Sequence, residues 1–182
     1  MKSAKKILAL ILAGVMALAL LTGCGKATSL NRTMAEGIAE YQKSQYARMG
    51  NNNNISVSYQ VPELRRDIAP LFDENWITYD EDNEWDVLNE KYIVNGKTVK
   101  ATLMDILSPY NSAAAVTFLV ADVTDVKTKF METVNLAGSS IGLRTADPYT
   151  FDAASITSMK IEVTHKTVNG RTYALAVLID EV

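Results

Sequence analysis

The chain has 182 residues, 48% of them hydrophobic, a formal net charge of −3, one cysteine and one histidine. Such a length is enough for a single domain with its own core, and the acidic balance argues against nucleic-acid binding, which depends on clustered basic side chains. A lone cysteine excludes an internal disulfide framework, and a lone histidine excludes a three-histidine zinc site. The sequence has no Gly-rich phosphate loop and no redox motif, so no cofactor is predicted.

The first residues have the layout of an export signal. Lys2, Lys5 and Lys6 form a basic start, and residues 7–21 are apolar apart from Gly14. As a helix, this apolar segment would reach about 22 Å, which is short of the roughly 30 Å hydrocarbon core of a bilayer. A cleaved signal peptide is therefore favoured over a transmembrane anchor.

An aliphatic residue, two small residues and a cysteine end this segment. The four residues, Leu21-Thr22-Gly23-Cys24, resemble the lipobox of bacterial lipoproteins. The resemblance implies that the sulfur of Cys24 carries a diacylglyceryl group and that the chain is cleaved just before this residue. A thioether-bonded Cys24 is an anchor, so it is not expected to act as a nucleophile, a metal ligand or half of a disulfide.

This resemblance divides the chain into three parts. It implies a signal peptide over residues 1–23, a lipid-anchored tether over 24–28 and a single domain over 29–182. Loss of the three N-terminal lysines takes the formal charge of the mature chain to −6. The implied location is extracytoplasmic, on the bacterial cell membrane, with the membrane reached through diacylated Cys24.

The domain is predicted to begin with a helix. Ser29 is a suitable N-cap, and Gly50, followed by the four asparagines 51–54, is suited to end the helix in a loop. The apolar residues between these two signals recur at helical intervals; they are Leu30, Met34, Ile38, Tyr41 and Met49.

Strands and a tight turn are predicted next. Apolar and polar residues alternate over 55–61, which is typical of a half-buried strand, and a short helix is expected over 62–68. Residues 76–79 form a second candidate strand. Asn95-Gly96 predicts a two-residue hairpin turn, because both residue types accept positive φ values.

A buried strand and a helix are predicted in the following segment. The strand covers the apolar residues 116–121. Thr124 or Asp125 is the predicted N-cap of the helix, and Gly138 is its predicted end. One face of this helix would carry Val126, Phe130 and Val134.

A C-terminal hairpin is the clearest predicted element. Asn169-Gly170 joins residues 160–168 to residues 171–179, and the second arm is apolar on both faces. A strand that buries both faces is usually central in its sheet. The sequence therefore predicts an α+β fold, with a mainly antiparallel sheet and two or three helices on one face.

One motif suggests an enzyme. Residues 138–142, Gly-Ser-Ser-Ile-Gly, match the Gly-x-Ser-x-Gly motif around the serine nucleophile of the α/β-hydrolase family. Asp147, Asp152 and His165 follow in that family's order, so a small serine hydrolase using Ser140 and His165 is one hypothesis. The family motif requires a strand before the serine, whereas a helix is predicted here, which favours a helix end and a connector.

An acidic segment suggests a binding site. The alternating carboxylates suit a hard cation, although Trp85 and Lys91 stand where an EF-hand requires Gly and Glu. Aromatic residues beside carboxylates suit glycans or cationic ligands, and Tyr79 and Tyr92 also lie near. The candidate ligand or calcium residues are Asp80, Asp82, Glu84, Asp86, Trp76 and Trp85.

Taken together, the patterns favour a binding or structural module over an enzyme. The expected partner is an unknown protein, glycan or small molecule, with no nucleic acid. The alternatives are the serine hydrolase and a calcium- or glycan-binding domain centred on residues 80–92.

Overall fold

The structure is a computed structural model that describes residues 30–147 and 149–182. The predicted signal peptide, the lipobox with Cys24 and the N-cap Ser29 lie outside the described residues. In the parts of the chain that the structure describes, no helix is long and apolar enough to cross a membrane.

Helices and strands alternate irregularly along the described chain. The helices are α1 (Leu30–Arg48), α2 (Ala69–Leu71), α3 (Val99–Ile106) and α4 (Lys129–Ala137). The strands are β1 (Ser56–Ser58), β2 (Ile77–Asp80), β3 (Trp85–Leu88), β4 (Ile93–Val94), β5 (Lys97–Thr98), β6 (Ala115–Asp122), β7 (Gly142–Arg144), β8 (Ser158–Val168) and β9 (Arg171–Glu181). A π-helical segment, Leu64–Ile68, leads into α2, and 3₁₀ turns lie at Glu74–Trp76, Ser108–Tyr110 and Ala153–Ser155.

Five strands form the main sheet, in the order β1-β8-β9-β6-β7. All neighbours are antiparallel except β1 and β8, which are parallel. The pairs β2-β3 and β4-β5 form two separate hairpins. The predicted α+β fold with a mainly antiparallel sheet is confirmed, and so is the central position of β9.

The two predicted Asn-Gly hairpin turns are confirmed. Asn95 and Asn169 have φ values of 50° and 49°, and Gly96 and Gly170 follow at 79° and 81°. Positive φ at both central residues is the turn geometry that matches the twist of the flanking strands. The Asn169-Gly170 turn sets the register of β8 and β9, with Val168 opposite Arg171.

One face of the sheet packs against α1 and α4. Odd-numbered residues of β8 and even-numbered residues of β9 point to this side, because opposite partners in an antiparallel pair share a face. The buried residues on this side include Met34, Ile38 and Tyr46 of α1, Leu136 of α4, Met159, Ile161 and Val163 of β8, and Ala174, Ala176 and Leu178 of β9.

The other face of the sheet is also covered, which the sequence did not predict. The π-helical segment, α3 and the residues before β2 pack there. Their buried residues are Leu64, Ile68, Phe72, Trp76, Val99 and Leu103, and they meet Phe118, Val120, Leu175, Val177 and Ile179 of the sheet. The helices therefore occupy both faces, with α1 and α4 on one and α3 on the other.

The asparagine loop fastens the end of α1. Gly50 has a φ of 91° and ends the helix as predicted. The next residue, Asn51, is buried, and its Nδ2 donates to the carbonyl oxygens of Ala153 and Ile156 at 2.7 and 2.8 Å. The loop is thus tied by hydrogen bonds to the segment that precedes β8.

The predicted cap of α4 was wrong. The N-cap is Thr128, whose Oγ1 accepts a hydrogen bond from the backbone N–H of Met131. Thr124 instead donates to the carboxylate of Asp122 and accepts from the backbone N–H of Thr172. The earlier threonine is used by the sheet, so the helix starts four residues later than a cap at Thr124 would place it.

The central position of β9 yields a prediction. Leu175 is fully buried, so Leu175→Ala removes packed methyl groups and should lower the free energy of unfolding by about 2–4 kcal/mol. Met49→Ala is the control, because that side chain is 61% exposed and its loss should change the free energy by less than about 0.5 kcal/mol. Urea unfolding measures both, and equal midpoints for Leu175→Ala and the parent would contradict the central packing.

Candidate functional site

The serine and histidine of the hydrolase hypothesis lie on different strands of the sheet. Ser140 lies two residues before β7, and its Oγ donates to the carbonyl oxygen of Asp86 at 3.2 Å. His165 lies on β8, three strand spacings from β7 in the sheet order, which is about 14 Å. The structure therefore does not bring Ser140 and His165 together as a nucleophile and its base.

The other parts of the hydrolase motif have structural roles. Gly142 pairs with Leu119 of β6 so closely that a Cβ would lie 1.9 Å from the carbonyl oxygen of Phe118. The carboxylates of Asp147 and Asp152 each accept a backbone N–H two residues further on. The resemblance to the hydrolase motif is therefore explained by structural roles. Gly142 is required by strand pairing, and the two aspartates form turns.

His165 instead links three elements. Its Nδ1 lies 2.8 Å from Oδ1 of Asn31 in α1, and its Nε2 lies 3.0 Å from Oε2 of Glu132 in α4. Glu132 is buried and also accepts from Nζ of Lys129 at 2.7 Å. The two ring nitrogens thus each contact one side-chain oxygen, one from each helix. The cluster holds the start of α1 and the first turn of α4 against β8.

A buried carboxyl at the other end of α1 was not predicted. Asp180 of β9 is fully buried, and the hydroxyl of Tyr46 donates to its Oδ2 at 2.7 Å. Among the described residues, Oδ1 of Asp180 has no hydrogen-bond partner. Burial raises the pKa of Asp180 to about 6, against the lowering effect of the Tyr46 hydrogen bond and of the Arg144 charge. Burial likewise raises the pKa of Tyr46.

This carboxyl predicts a pH dependence of stability. Its pKa rises from 3.8 to about 6 on folding, so the folded state keeps the proton to higher pH and the free energy of unfolding falls as the pH rises through about 4 to 6. Ionisation should cost about 3 kcal/mol. Asp180→Asn keeps an acceptor for Tyr46 and should be more stable than the parent at pH 7.

Urea unfolding at pH 4 and pH 7 measures this effect, as the difference between Asp180→Asn and the parent. Carboxylates with a lowered pKa, such as Glu181 beside Lys160, give the opposite pH dependence in both proteins, so they cancel in this difference. Parallel pH profiles for the two proteins would show that Asp180 does not carry the effect.

The acidic segment forms the turn of the β2-β3 hairpin. Oδ1 of Asp80 accepts the backbone N–H groups of Asp82 and Asn83, and Oδ2 accepts Nδ2 of Asn83. Hydrogen bonds from Asn83 lower the pKa of Asp80. Within residues 30–147 and 149–182, no group of three or more His, Cys, Asp or Glu side chains is arranged to hold a metal ion. The structure thus uses Asp80 to shape the turn, together with a positive φ of 59° at Glu84.

The two tryptophans of the predicted site are in different environments. Trp76 is fully buried, with ring centroids 5.4 Å from Phe72 and 6.3 Å from Phe118. Its assignment as a ligand residue was therefore wrong, because the core of the sheet encloses it. Trp85 is 47% exposed and Tyr79 is 58% exposed, so the exposed aromatic rings of this region belong to the hairpin.

A groove of about 590 Å³ runs between this hairpin and the start of β7. Its polar side chains come from both sides, and Ser140 connects the two sides through its hydrogen bond to Asp86. No sequence pattern indicates this proximity, since 54 residues separate Ser140 from Asp86. The lining residues are Thr78, Tyr79, Asp80, Val87, Leu88, Asn89, Glu90, Lys91, Ser140 and Gly142.

A second groove, of about 550 Å³, lies beside β8 near Tyr59. Its arginines are compensated by carboxylates: Nε of Arg65 lies 2.6 Å from Glu162, and Nη2 of Arg66 lies 2.6 Å from Asp67. Glu162 also accepts the backbone N–H of Val61. These groups are engaged in holding the chain that leaves β1, which argues against an anion site here.

Comparisons of the chain with protein-family models, with curated proteins and with solved structures find no match.

Proposed function

We propose that the protein is an extracytoplasmic bacterial lipoprotein whose domain is a ligand-binding module. The basic start, the short apolar segment and the sequence Leu21-Thr22-Gly23-Cys24 support the anchor. The first described helix begins at Leu30, only six residues after Cys24. A diacylated cysteine holds a protein stably on a membrane, because two acyl chains give stable membrane binding, whereas one chain gives only marginal binding.

The anchor is tested by Cys24→Ser. Serine has no sulfur to carry the thioether, so we expect an uncleaved or released chain in place of the lipidated form. Detergent phase partitioning and mass spectrometry of the purified protein measure the outcome. A Cys24→Ser protein that remains lipidated and membrane-bound would contradict the lipoprotein proposal.

The hairpin groove is the proposed binding surface, and it is the observation that favours binding over catalysis. It combines the exposed ring of Tyr79 with hydrogen-bonding groups of Asp80, Asn89 and Lys91. Binding sites pair apolar or aromatic surface with a few polar groups that fix the ligand's orientation. Ser140 donates to a backbone carbonyl in this groove, so its hydroxyl holds the groove's two sides together.

A glycan is the ligand class that this groove fits best. Sugars present both apolar ring faces and many hydroxyls, which suit an aromatic ring flanked by carboxylate, amide and ammonium groups. Charge points the same way: Asp80, Glu90 and Lys91 all line the groove, so the lining is of mixed sign and does not favour a strongly charged ligand.

Glycan binding is tested with an array of defined oligosaccharides and the detergent-solubilised mature protein. Tyr79→Ala should weaken binding of a retained glycan about tenfold, equivalent to about 1.4 kcal/mol. Tyr149→Ala is the matched control, because this tyrosine is 96% exposed and does not line the groove. Retention of no oligosaccharide, or equal binding by the two variants, would contradict the glycan assignment and leave the anchor proposal intact.

A further inference from the structure

The start of α1 and the first turn of α4 lie at one end of the domain. Both are bonded to the same imidazole ring, through Asn31 on one side and Glu132 on the other. The sequence neighbours of these two residues, Leu30 and Met131, are large apolar side chains that are 59% and 46% exposed. The hydrogen bonds of His165 therefore bring two exposed apolar residues to the same end, which we call the His165 end.

The charges around this end balance. Glu132 is compensated by Lys129, and Asp122 is compensated by Arg171 at 2.7 Å. Lys127 and Asp125, in the loop before α4, have no ion-pair partner among the described residues, and their charges are opposite. An end without net charge lets its two apolar side chains enter the interfacial region of a bilayer, where nearby lysines remain hydrated.

The length of chain before α1 limits how far this end can lie from the anchor. Residues 24–29 separate Cys24 from Leu30, and six residues reach at most about 20 Å. α1 then runs for 19 residues, about 28 Å, along the sheet toward Asp180. Met49, just beyond the far end of α1, is 61% exposed and lies at the opposite end of the domain.

We propose that the His165 end is a lipid-facing surface, on which Leu30 and Met131 contact the bilayer and hold the domain with α1 pointing away from the membrane. This inference rests on the proposed lipid anchor. The acyl chains supply the membrane affinity, and the two apolar side chains set the orientation of the domain relative to the bilayer.

Single-cysteine labelling of the full mature protein tests the orientation. In the lipidated chain Cys24 is blocked, so Met131→Cys and Met49→Cys each introduce one thiol for an environment-sensitive fluorophore. The two variants are matched, because both replace an exposed methionine. Both are reconstituted into mixed phosphatidylcholine and phosphatidylglycerol vesicles that contain a brominated quencher lipid. A label inserted about 5–10 Å into the interface should lose at least about half of its fluorescence, whereas the label at residue 49 should keep its intensity.

Each outcome separates the two proposals. Quenching at residue 131 without quenching at residue 49 supports the lipid-facing surface. No quenching at either position, in vesicles that retain the protein with one label per chain, overturns the orientation and leaves the anchor standing. Two labels per chain, with protein that does not remain on the vesicles, show that Cys24 is free and overturn both.

Discussion

The fold depends on burying β9 on both faces. Eight consecutive residues of this strand, Tyr173 to Asp180, are buried, so each side chain needs a packing layer on its own side of the sheet. α1 and α4 provide one layer, and the π-helical segment, Trp76 and α3 provide the other. Such a strand could not be stable at a sheet edge, which is why β8 and β6 enclose it and why the shorter strands β1 and β7 lie outside them.

Polar contacts then fix α1 on its side of the sheet at both ends. The His165 cluster fixes its start, and the bond from Tyr46 to Asp180 fixes its end. Buried polar groups of this kind cost desolvation free energy and add directional contacts that apolar packing does not provide. The apolar side chains of α1 would tolerate small shifts along the sheet, whereas Asn31 and Tyr46 make directional bonds to side chains of β8 and β9. We therefore infer that these two contacts contribute mainly to the position of α1.

The sequence predicted those parts of the fold that local chemistry determines. Asn169-Gly170 set both the turn and the register of β8-β9. Features set by distant residues were not predictable. Thr128 and Thr124 are equivalent as caps in the sequence, and only the pairing of Thr124 with Thr172 makes the difference. Trp76 next to acidic residues suggested a binding surface, but Phe72 and Phe118 enclose it.

The groove of the candidate site was likewise not predictable from local sequence. Four acidic residues and Trp85 predicted a site at the hairpin. The groove, however, forms because the segment before β7 packs against that hairpin, and no local pattern encodes this packing. The motif Gly-x-Ser-x-Gly is present without its usual structural context: Gly142 is required by its approach to Phe118, and Ser140 joins the segment before β7 to the hairpin. A motif carries a function only with its structural context, and here that context relates the serine to the groove.

A short tether would also restrict which ligands the groove can meet. If the anchor is as proposed, the start of α1 stays within about 20 Å of the membrane, and the domain searches only the layer next to it. Linkage of this kind raises the effective concentration of ligands that are themselves fixed in that layer and gives no advantage for ligands in free solution. Under the proposed anchor and glycan binding, a groove of modest affinity would suffice for a polymer held in the cell envelope, because neighbouring copies of the protein would bind one polymer at once.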